Sequence, residues 1–202
     1  LMSMIEDGRT VGDAVDARSF ANAATMLHAI GGSTNAVIHL PAIAEGFGIA
    51  FGQEQIREKS NTPILLNLMP AGKFVMVDLF EKAGGLPPLA RYMVDRGLLD
   101  PGAQSVAGKP LGDLLAEVSA PDFRDPENEV IRPLESPVKS RSSLCIVRGD
   151  HSTGDTTSIA PNGCVFKLSS AQRTFEGTAR VFDHEKEAVE AVLTEKVTDG
   201  DI

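Results

Sequence analysis

Residues 119–129 constrain the fold of this chain more than any other feature, because they are polar, carry two prolines and separate two parts with different hydrophobic patterns. Up to residue 118, apolar residues recur at helical spacing, and one compact apolar run at residues 64–68 has the length of a buried strand. After residue 129, short β-type segments are separated by turns rich in Gly, Ser, Pro and Asn. The sequence therefore predicts an α/β fold in two parts, residues 1–118 and 130–202, joined by a linker at residues 119–129.

Local patterns predict the individual elements. The predicted helices are residues 17–30, a second helix capped by Ser33 or Thr34, and residues 53–59, 73–82, 86–96 and 185–193. The predicted strands are residues 64–68, 130–131, 144–147, 164–168 and 179–182. The second helix has few polar faces, so we expect it to be buried on several sides and to kink or end early at Pro41, which has no N–H. Asp183 is the expected cap of the last helix.

Composition excludes several classes of function. The 202 residues include 19 basic and 28 acidic ones, a formal net charge of −9, and the basic residues are scattered, which argues against binding to nucleic acid. No apolar run of about 18 residues could span a bilayer, and the first residues lack a signal-peptide pattern, so we expect a cytoplasmic protein with no membrane partner. Because residue 1 is Leu and the last residues resemble the start of a further strand, we expect a piece of a longer chain.

The first candidate site is the run Gly31-Gly32-Ser33-Thr34-Asn35, followed one turn later by His39. Two glycines allow a ligand to approach the backbone, and the N–H groups at the start of the following helix favour a carboxylate or a phosphate. The same run is equally a helix stop followed by an N-cap, and His39 on an apolar helix is equally a core histidine. Ser33, Thr34, Asn35 and His39 are therefore substrate-binding candidates, with capping and packing as the alternative.

Other polar residues favour structural interpretations. The loop at residues 150–155 has oxygen and nitrogen donors, but its spacing matches no metal loop and predicts a solvated turn. His28 and His184 stand alone on helical segments. Cys145 has the position of a small buried residue in a strand, and Cys164 could be an exposed thiol. Two distant cysteines cannot complete a metal–thiolate site.

Several blocks in order carry a family resemblance. They are Ala-Ile-Gly-Gly-Ser-Thr-Asn-Ala-Val-Ile-His-Leu at residues 29–40, Asn-Leu-Met-Pro-Ala-Gly-Lys at 67–73, Ala-Gly-Gly-Leu-Pro at 83–87, Val-Ile-Arg-Pro-Leu at 130–134, Ile-Ala-Pro-Asn-Gly-Cys-Val-Phe-Lys at 159–167 and Gly-Thr-Ala-Arg-Val-Phe at 177–182. Together they resemble the middle of the dihydroxy-acid dehydratase and phosphogluconate dehydratase family. The resemblance implies the end of an α/β domain followed by the start of a β-rich, swivelling-type domain.

The resemblance also implies a lyase that converts a 2,3-dihydroxy carboxylic acid into a 2-keto acid with an iron–sulfur cluster and Mg²⁺. The substrate is a branched-chain dihydroxy acid or a sugar acid such as arabinonate or xylonate. The family's Cys-Asp-Lys motif and other cluster cysteines lie upstream of this segment, and its Gly-Pro-Lys-Gly region and serine loop lie downstream. No catalytic or metal-binding residue is therefore assigned here, and we expect the segment alone to hold neither cofactor and to be inactive.

The chain also departs from the family pattern. Residues 151–158 are an insertion, Asp150 replaces an asparagine, Val77 stands where an acidic residue is common, and Thr178 stands where proline is usual. These changes leave open a divergent subgroup or a degraded copy. The competing class of function is a non-enzymatic, acidic module that uses the helix end after Gly32 to hold a carboxylate. For the full-length enzyme, we expect a small hydroxy-acid substrate and a homo-oligomer.

Overall fold

The computed structural model describes residues 2–125, 129–147, 164–167 and 176–201. The chain divides into two compact units, Leu1–Ser169 and Ser170–Ile202. The predicted linker at residues 119–129 is a different division. In the first unit, Phe123 from this stretch packs edge-on against Tyr92, with the ring centroids 4.8 Å apart. The domain boundaries expected from the sequence stay a prediction.

The first unit is built mainly from helices. They are α1 (Met2–Glu6), a 3-10 helix (Val11–Ala14), α2 (Ala17–Ala29), α3 (Ala36–Gly46), α4 (Gln53–Glu58), α5 (Met76–Ala83), α6 (Leu86–Asp95) and α7 (Leu111–Leu114). The start of α2 is fixed by Asp16, whose side chain accepts a hydrogen bond from the backbone N–H of Ser19 at 2.9 Å. Its end is followed by Gly31, whose φ of +65° favours glycine.

Strand pairing in the first unit is limited to short stretches of the described residues. β1 (Leu144–Val147) pairs antiparallel with β2 (Cys164–Lys167), with Cys145 opposite Phe166. The apolar run at residues 64–68 is extended and buried, as expected, but it pairs through isolated bridges. Ile64 is bridged to Lys139 and Leu66 to Ile131.

The core of the first unit consists of two clusters of buried side chains. The larger one joins the extended run to α6 and to the segment after residue 129; it contains Ala29, Leu65, Leu66, Leu68, Leu79, Leu89, Tyr92, Met93, Leu99, Val130 and Ile131. The smaller one joins α2, α3, α4 and β1; it contains Ala24, Leu27, Val37, Ile56 and Leu144. Residues on both sides of the predicted linker thus share one core.

The described part of the second unit contains α8 (Glu185–Leu193), with Glu185 and Glu187 in its first turn, where the helix dipole favours acidic residues. A single parallel bridge joins Thr178 to Asp201, and Arg180 forms an ion pair with Asp201 at 3.1 Å. Asp183 is not the cap of α8, because His184 occupies that position and its side chain makes no capping bond.

Several expectations need correction. Most of the regular secondary structure among the described residues is helical, so the α/β class is met only loosely. Residues 179–182 form no strand, since their only neighbouring pairing is the single bridge at Thr178. Pro41 does not end α3, which continues to Gly46. Nor is α3 buried on several sides: Ile38 is 67% exposed and Ile43 is 50% exposed.

Candidate functional site

The turn between α2 and α3 is shaped by two glycines. Gly31 N–H donates to His28 O at 3.2 Å, and Gly32 N–H donates to Leu27 O at 2.8 Å, which satisfies carbonyl groups at the end of α2. A Cβ atom at Gly32 would collide with the side chain of Leu27. The turn therefore favours glycine at residue 31 because of its φ of +65° and at residue 32 because of its close approach to Leu27.

The run after the glycines leads directly into α3. Ser33 Oγ accepts a hydrogen bond from the backbone N–H of Asn35 at 3.2 Å. Asn35 is the residue before the helix, and its own side chain makes no capping bond. The sequence prediction that Ser33 or Thr34 caps this helix is therefore wrong, because Asn35 occupies the N-cap position and the Ser33 hydroxyl instead satisfies the N–H of Asn35 within the turn.

A cavity of about 450 Å³ lies beside this turn. This volume is within the range of small-molecule sites, about 300–1,000 Å³. Its lining combines the glycine turn, the extended run, α5 and the end of β2; it consists of Ile30, Gly31, Gly32, Ser33, Thr34, Leu66, Leu68, Met69, Val75, Met76, Leu79, Phe80, Leu86 and Lys167. The cavity is thus mostly apolar, with its polar groups gathered at the turn and at Lys167.

The apolar lining has a rigid floor and an open rim. Leu66, Leu68 and Leu79 are buried in the core, whereas Met76 and Phe80 are exposed at 60% and 63%. Buried core residues hold their positions through close packing, so the floor keeps its shape, while the exposed side chains can rotate over a ligand.

The sequence candidates divide into two pairs. Ser33 and Thr34 line the cavity. Asn35 and His39 are exposed and are not part of its lining, so His39 is not a core histidine either. The structure brings Ser33 and Thr34 together with Lys167, which sequence reasoning did not select. The only signal for Lys167 was a single lysine at the end of an apolar strand.

His28 has a structural role. It is 1% exposed, and its ring nitrogens lie 2.6 Å from Ser142 Oγ and 2.8 Å from Ile56 O. A backbone carbonyl can only accept a hydrogen bond, so we assign the ring hydrogen to Nε2 and the acceptor role to Nδ1. Burial lowers the pKa of His28, against the opposing effect of its bond to Ile56.

The described residues do not fit an iron–sulfur cluster or a Mg²⁺ site. Cys145 is the one cysteine whose side chain the structure describes, and it is half-buried in β1. Within the described ranges, no three His, Cys, Asp or Glu side chains lie close enough to share a metal ion. The loop at residues 150–155 and the insertion at 151–158 lie outside the described residues, as does the side chain of Cys164.

A search of the described helices for membrane spans finds none that is long and apolar enough to cross a bilayer.

Comparison with known families accounts for almost the whole chain. Residues 1–114 match the family described as Dihydroxy-acid/6-phosphogluconate dehydratase N-terminal, and residues 129–202 match its C-terminal counterpart. The chain therefore belongs to the dihydroxy-acid/6-phosphogluconate dehydratase family, which confirms the resemblance drawn from the sequence motifs.

Individual relatives agree with this assignment. The chain is 38% identical over 192 residues to a dihydroxy-acid dehydratase of Synechococcus sp. (strain CC9902), an alignment that covers 94% of this chain and 32% of the relative. Two further dihydroxy-acid dehydratases align with the whole of this chain. The protein from Chloroflexus aggregans is 36% identical and the alignment covers 34% of its length. The protein from Metallosphaera sedula is 35% identical and the alignment covers 35% of its length. The chain thus spans about a third of the length of the curated relatives it matches.

Proposed function

We propose that this chain forms part of a lyase that removes water from a 2,3-dihydroxy carboxylic acid to give a 2-keto acid. Family membership supports this reaction, and the relatives are named dihydroxy-acid dehydratase. The observation that carries the proposal is the cavity beside the glycine turn, which combines polar groups at one side with an apolar floor.

In this proposal, the turn at the start of α3 binds the carboxylate. Ser33 and Thr34 line the cavity, and hydroxyl and backbone N–H groups at the start of a helix suit a carboxylate. Asn35 lies in the same turn, and His39 lies one helical turn later in α3. Both are exposed and outside the described cavity lining, so this proposal gives the contacts with the carboxylate to Ser33 and Thr34 and not to Asn35 or His39.

The apolar floor favours a branched-chain acid over a sugar acid. Burial of a substrate methyl group against Leu66 or Leu79 contributes about 0.8 kcal/mol to the free energy of binding. A sugar acid would bring additional hydroxyl groups to the same wall, where burying a hydroxyl without a hydrogen-bond partner costs about 1–3 kcal/mol. We therefore propose 2,3-dihydroxy-3-methyl acids as the preferred substrates.

The chemistry assigned to this chain is binding, orientation and exclusion of water. Dehydration removes a hydroxyl group from C3 and a proton from C2, and the enol that results becomes the 2-keto acid. We assign no base or acid for these steps to the described residues. The family resemblance implies that an iron–sulfur cluster and Mg²⁺ supply Lewis-acid chemistry in the full-length enzyme, but the described residues do not fit either group.

We also propose that residues 130–202 form the start of a β-rich, swivelling-type domain. The support is the second family match, which begins at residue 129, together with the β1–β2 pair. The whole enzyme is proposed to act as a homo-oligomer on a small hydroxy acid.

The test is a dehydratase assay on the polypeptide that carries this segment, expressed and purified without oxygen. We expect 2-keto acid to form from 2,3-dihydroxy-3-methylbutanoate with a kcat/KM at least about tenfold higher than from arabinonate, which corresponds to roughly 1.4 kcal/mol of discrimination. Faster turnover of arabinonate would overturn the substrate preference. Failure to dehydrate either acid, with retained carboxylate binding, would favour the non-enzymatic binding module.

A further inference from the structure

Lys167 ends β2 and lines the cavity beside the glycine turn. Its Nζ donates a hydrogen bond to Gly31 O at 2.9 Å. A lysine ammonium has three N–H donors, and this bond uses one of them. No ion pair joins Lys167 to a residue within the described ranges. The bond to Gly31 thus holds a cation at the cavity wall with donors left for a ligand.

The described lining of the cavity offers no charge that competes with Lys167. It is the only charged residue among those that line the cavity, within the part of the chain that the structure describes. Ser33 Oγ accepts the hydrogen bond from Asn35 N–H, and that bond does not use the hydroxyl hydrogen of Ser33. One wall of the cavity can therefore donate hydrogen bonds to an anion while Leu66, Leu79 and Phe80 contact an apolar tail.

We infer that Lys167 binds the carboxylate of the acid in this cavity and selects acids over neutral molecules of the same shape. This inference rests on the proposed function and adds to it the residue that recognises the charge. Lys167 is itself exposed, so water screens part of its attraction for an anion, and the preference for the acid is expected at the lower end of what a charged hydrogen bond gives.

A purely structural role for Lys167 makes a different prediction. The end of α2 carries partial negative charge on its last carbonyl groups, and a lysine placed there stabilises the helix. If the bond to Gly31 O served only this purpose, removal of the charge would lower the stability of the chain without changing which ligands it prefers. Ligand preference therefore separates the two roles.

The experiment uses the 202-residue chain and two probes, 3-methyl-2-oxobutanoate and its neutral amide, 3-methyl-2-oxobutanamide. Binding is followed by the backbone NMR shifts of Gly31, Gly32 and Ser33. We expect the unaltered chain to bind the acid at least about tenfold more tightly than the amide, the ratio that one charged hydrogen bond of about 1.4 kcal/mol gives. Lys167→Met should reduce this ratio below about threefold and leave the affinity for the amide nearly unchanged.

Two further variants serve as controls. Lys167→Arg keeps the charge and should retain a preference for the acid, and the nearly unchanged affinity of Lys167→Met for the amide shows that the Met variant is folded. Lys109→Met removes an exposed lysine that is not part of the cavity lining and should leave the ratio unchanged.

The inference is overturned if the unaltered chain shows no preference for the acid, if it binds neither probe, or if Lys167→Met keeps the full preference. None of these results bears on the dehydratase assay, which measures product formation by the whole polypeptide. Conversely, a Lys167-dependent preference for the acid in a polypeptide without dehydratase activity would support this inference and contradict the proposed function.

Discussion

At the scale of single residues, His28 is a buried polar side chain, 1% exposed, that connects α2 to the end of α4 and to Ser142. Substitution by leucine would fill a similar volume but would leave Ile56 O and Ser142 Oγ without their bonds to the ring. Ile56 O keeps the bond from Lys59 N–H and Ser142 Oγ keeps the bond from Leu144 N–H, so the change removes two buried hydrogen bonds worth about 0.5–1.5 kcal/mol each. We therefore expect His28→Leu to lower the free energy of unfolding by about 1–3 kcal/mol. Urea unfolding measures the loss. The matched control is His39→Leu, at an exposed position, which should change stability by less than about 0.5 kcal/mol.

The same histidine should make stability depend on pH. Burial holds the pKa of His28 in the folded chain below the ordinary value of 6.5, so the unfolded chain binds more protons just below that pH. The stability that His28 contributes is therefore present above pH 6.5 and is lost as the pH falls through the folded-state pKa. The difference in unfolding free energy between the unaltered chain and His28→Leu should shrink from pH 7.5 to pH 5. A difference that stays constant over this range would contradict the assignment.

Ser33 is expected to have a dual effect that Asn35 lacks. Ser33→Ala removes the acceptor for the N–H of Asn35 and should cost about 0.5–1.5 kcal/mol of stability, the usual net contribution of one hydrogen bond. It also removes a hydroxyl group from the cavity wall and should weaken binding of 3-methyl-2-oxobutanoate. Asn35→Ala, at an exposed position outside the lining, should change neither by more than about 0.5 kcal/mol. Thermal unfolding and NMR titration on both variants check the contrast, and equal effects on binding would argue against the cavity as the site.

At the scale of elements, the loop between the extended run and α5 depends on Gly72. A Cβ atom there would collide with the backbone of Asn67, which itself accepts hydrogen bonds from Lys73 and Phe74 at 3.1 and 2.9 Å. Backbone held in this way cannot move aside easily, so Gly72→Ala should cost about 1–3 kcal/mol, the usual range for overpacking. Gly46→Ala, in α3 and with no atom within 4 Å of the added carbon, should be neutral or stabilising. Urea unfolding of both variants tests the pair, and a neutral Gly72→Ala would contradict the loop geometry.

Elements were predictable from the sequence where one face is buried and the ends carry clear signals. The period of apolar residues located α2, and Asp16 and Gly31 fixed its ends. The period says which residues are apolar but not what covers them, and for this reason the burial expected for α3 was wrong at Ile38 and Ile43. A proline in a helix removes one N–H donor, and that local effect did not outweigh the remaining bonds of α3.

The candidate site was predictable only in part, because its lining residues come from segments that are far apart in the sequence. The glycine turn is contiguous in sequence, so its motif pointed to Ser33 and Thr34 directly. The cavity, however, also needs Leu66, Phe80 and Lys167, which are far apart along the chain and meet only in the folded unit. No local pattern contains that information, and the hydrogen bond between Lys167 and Gly31, 136 positions apart, is the contact that shows it.

At the scale of the whole molecule, truncated chains can show whether the folding boundary lies after residue 169, between the two compact units, or at the predicted linker, residues 119–129. Both core clusters lie within residues 24–144, and the described part of the second unit adds only Ala191 to the buried apolar residues. A chain that ends at residue 169 should therefore keep a cooperative unfolding transition with a similar thermal midpoint.

A chain that ends at residue 118 should lose that transition. It would lack Val130 and Ile131, both 0% exposed, and burial of such side chains is worth about 1.5–3 kcal/mol each. It would also lack the hydrogen bonds from Arg132 N–H to Leu65 O at 2.7 Å and from Val138 N–H to Ile64 O at 2.9 Å, which leaves the extended run without partners on that side. Near-UV circular dichroism and thermal unfolding of the two truncated chains make the comparison. A chain of residues 1–118 that unfolds as cooperatively as residues 1–169 would show that the predicted linker, and not the shared core, marks the folding boundary.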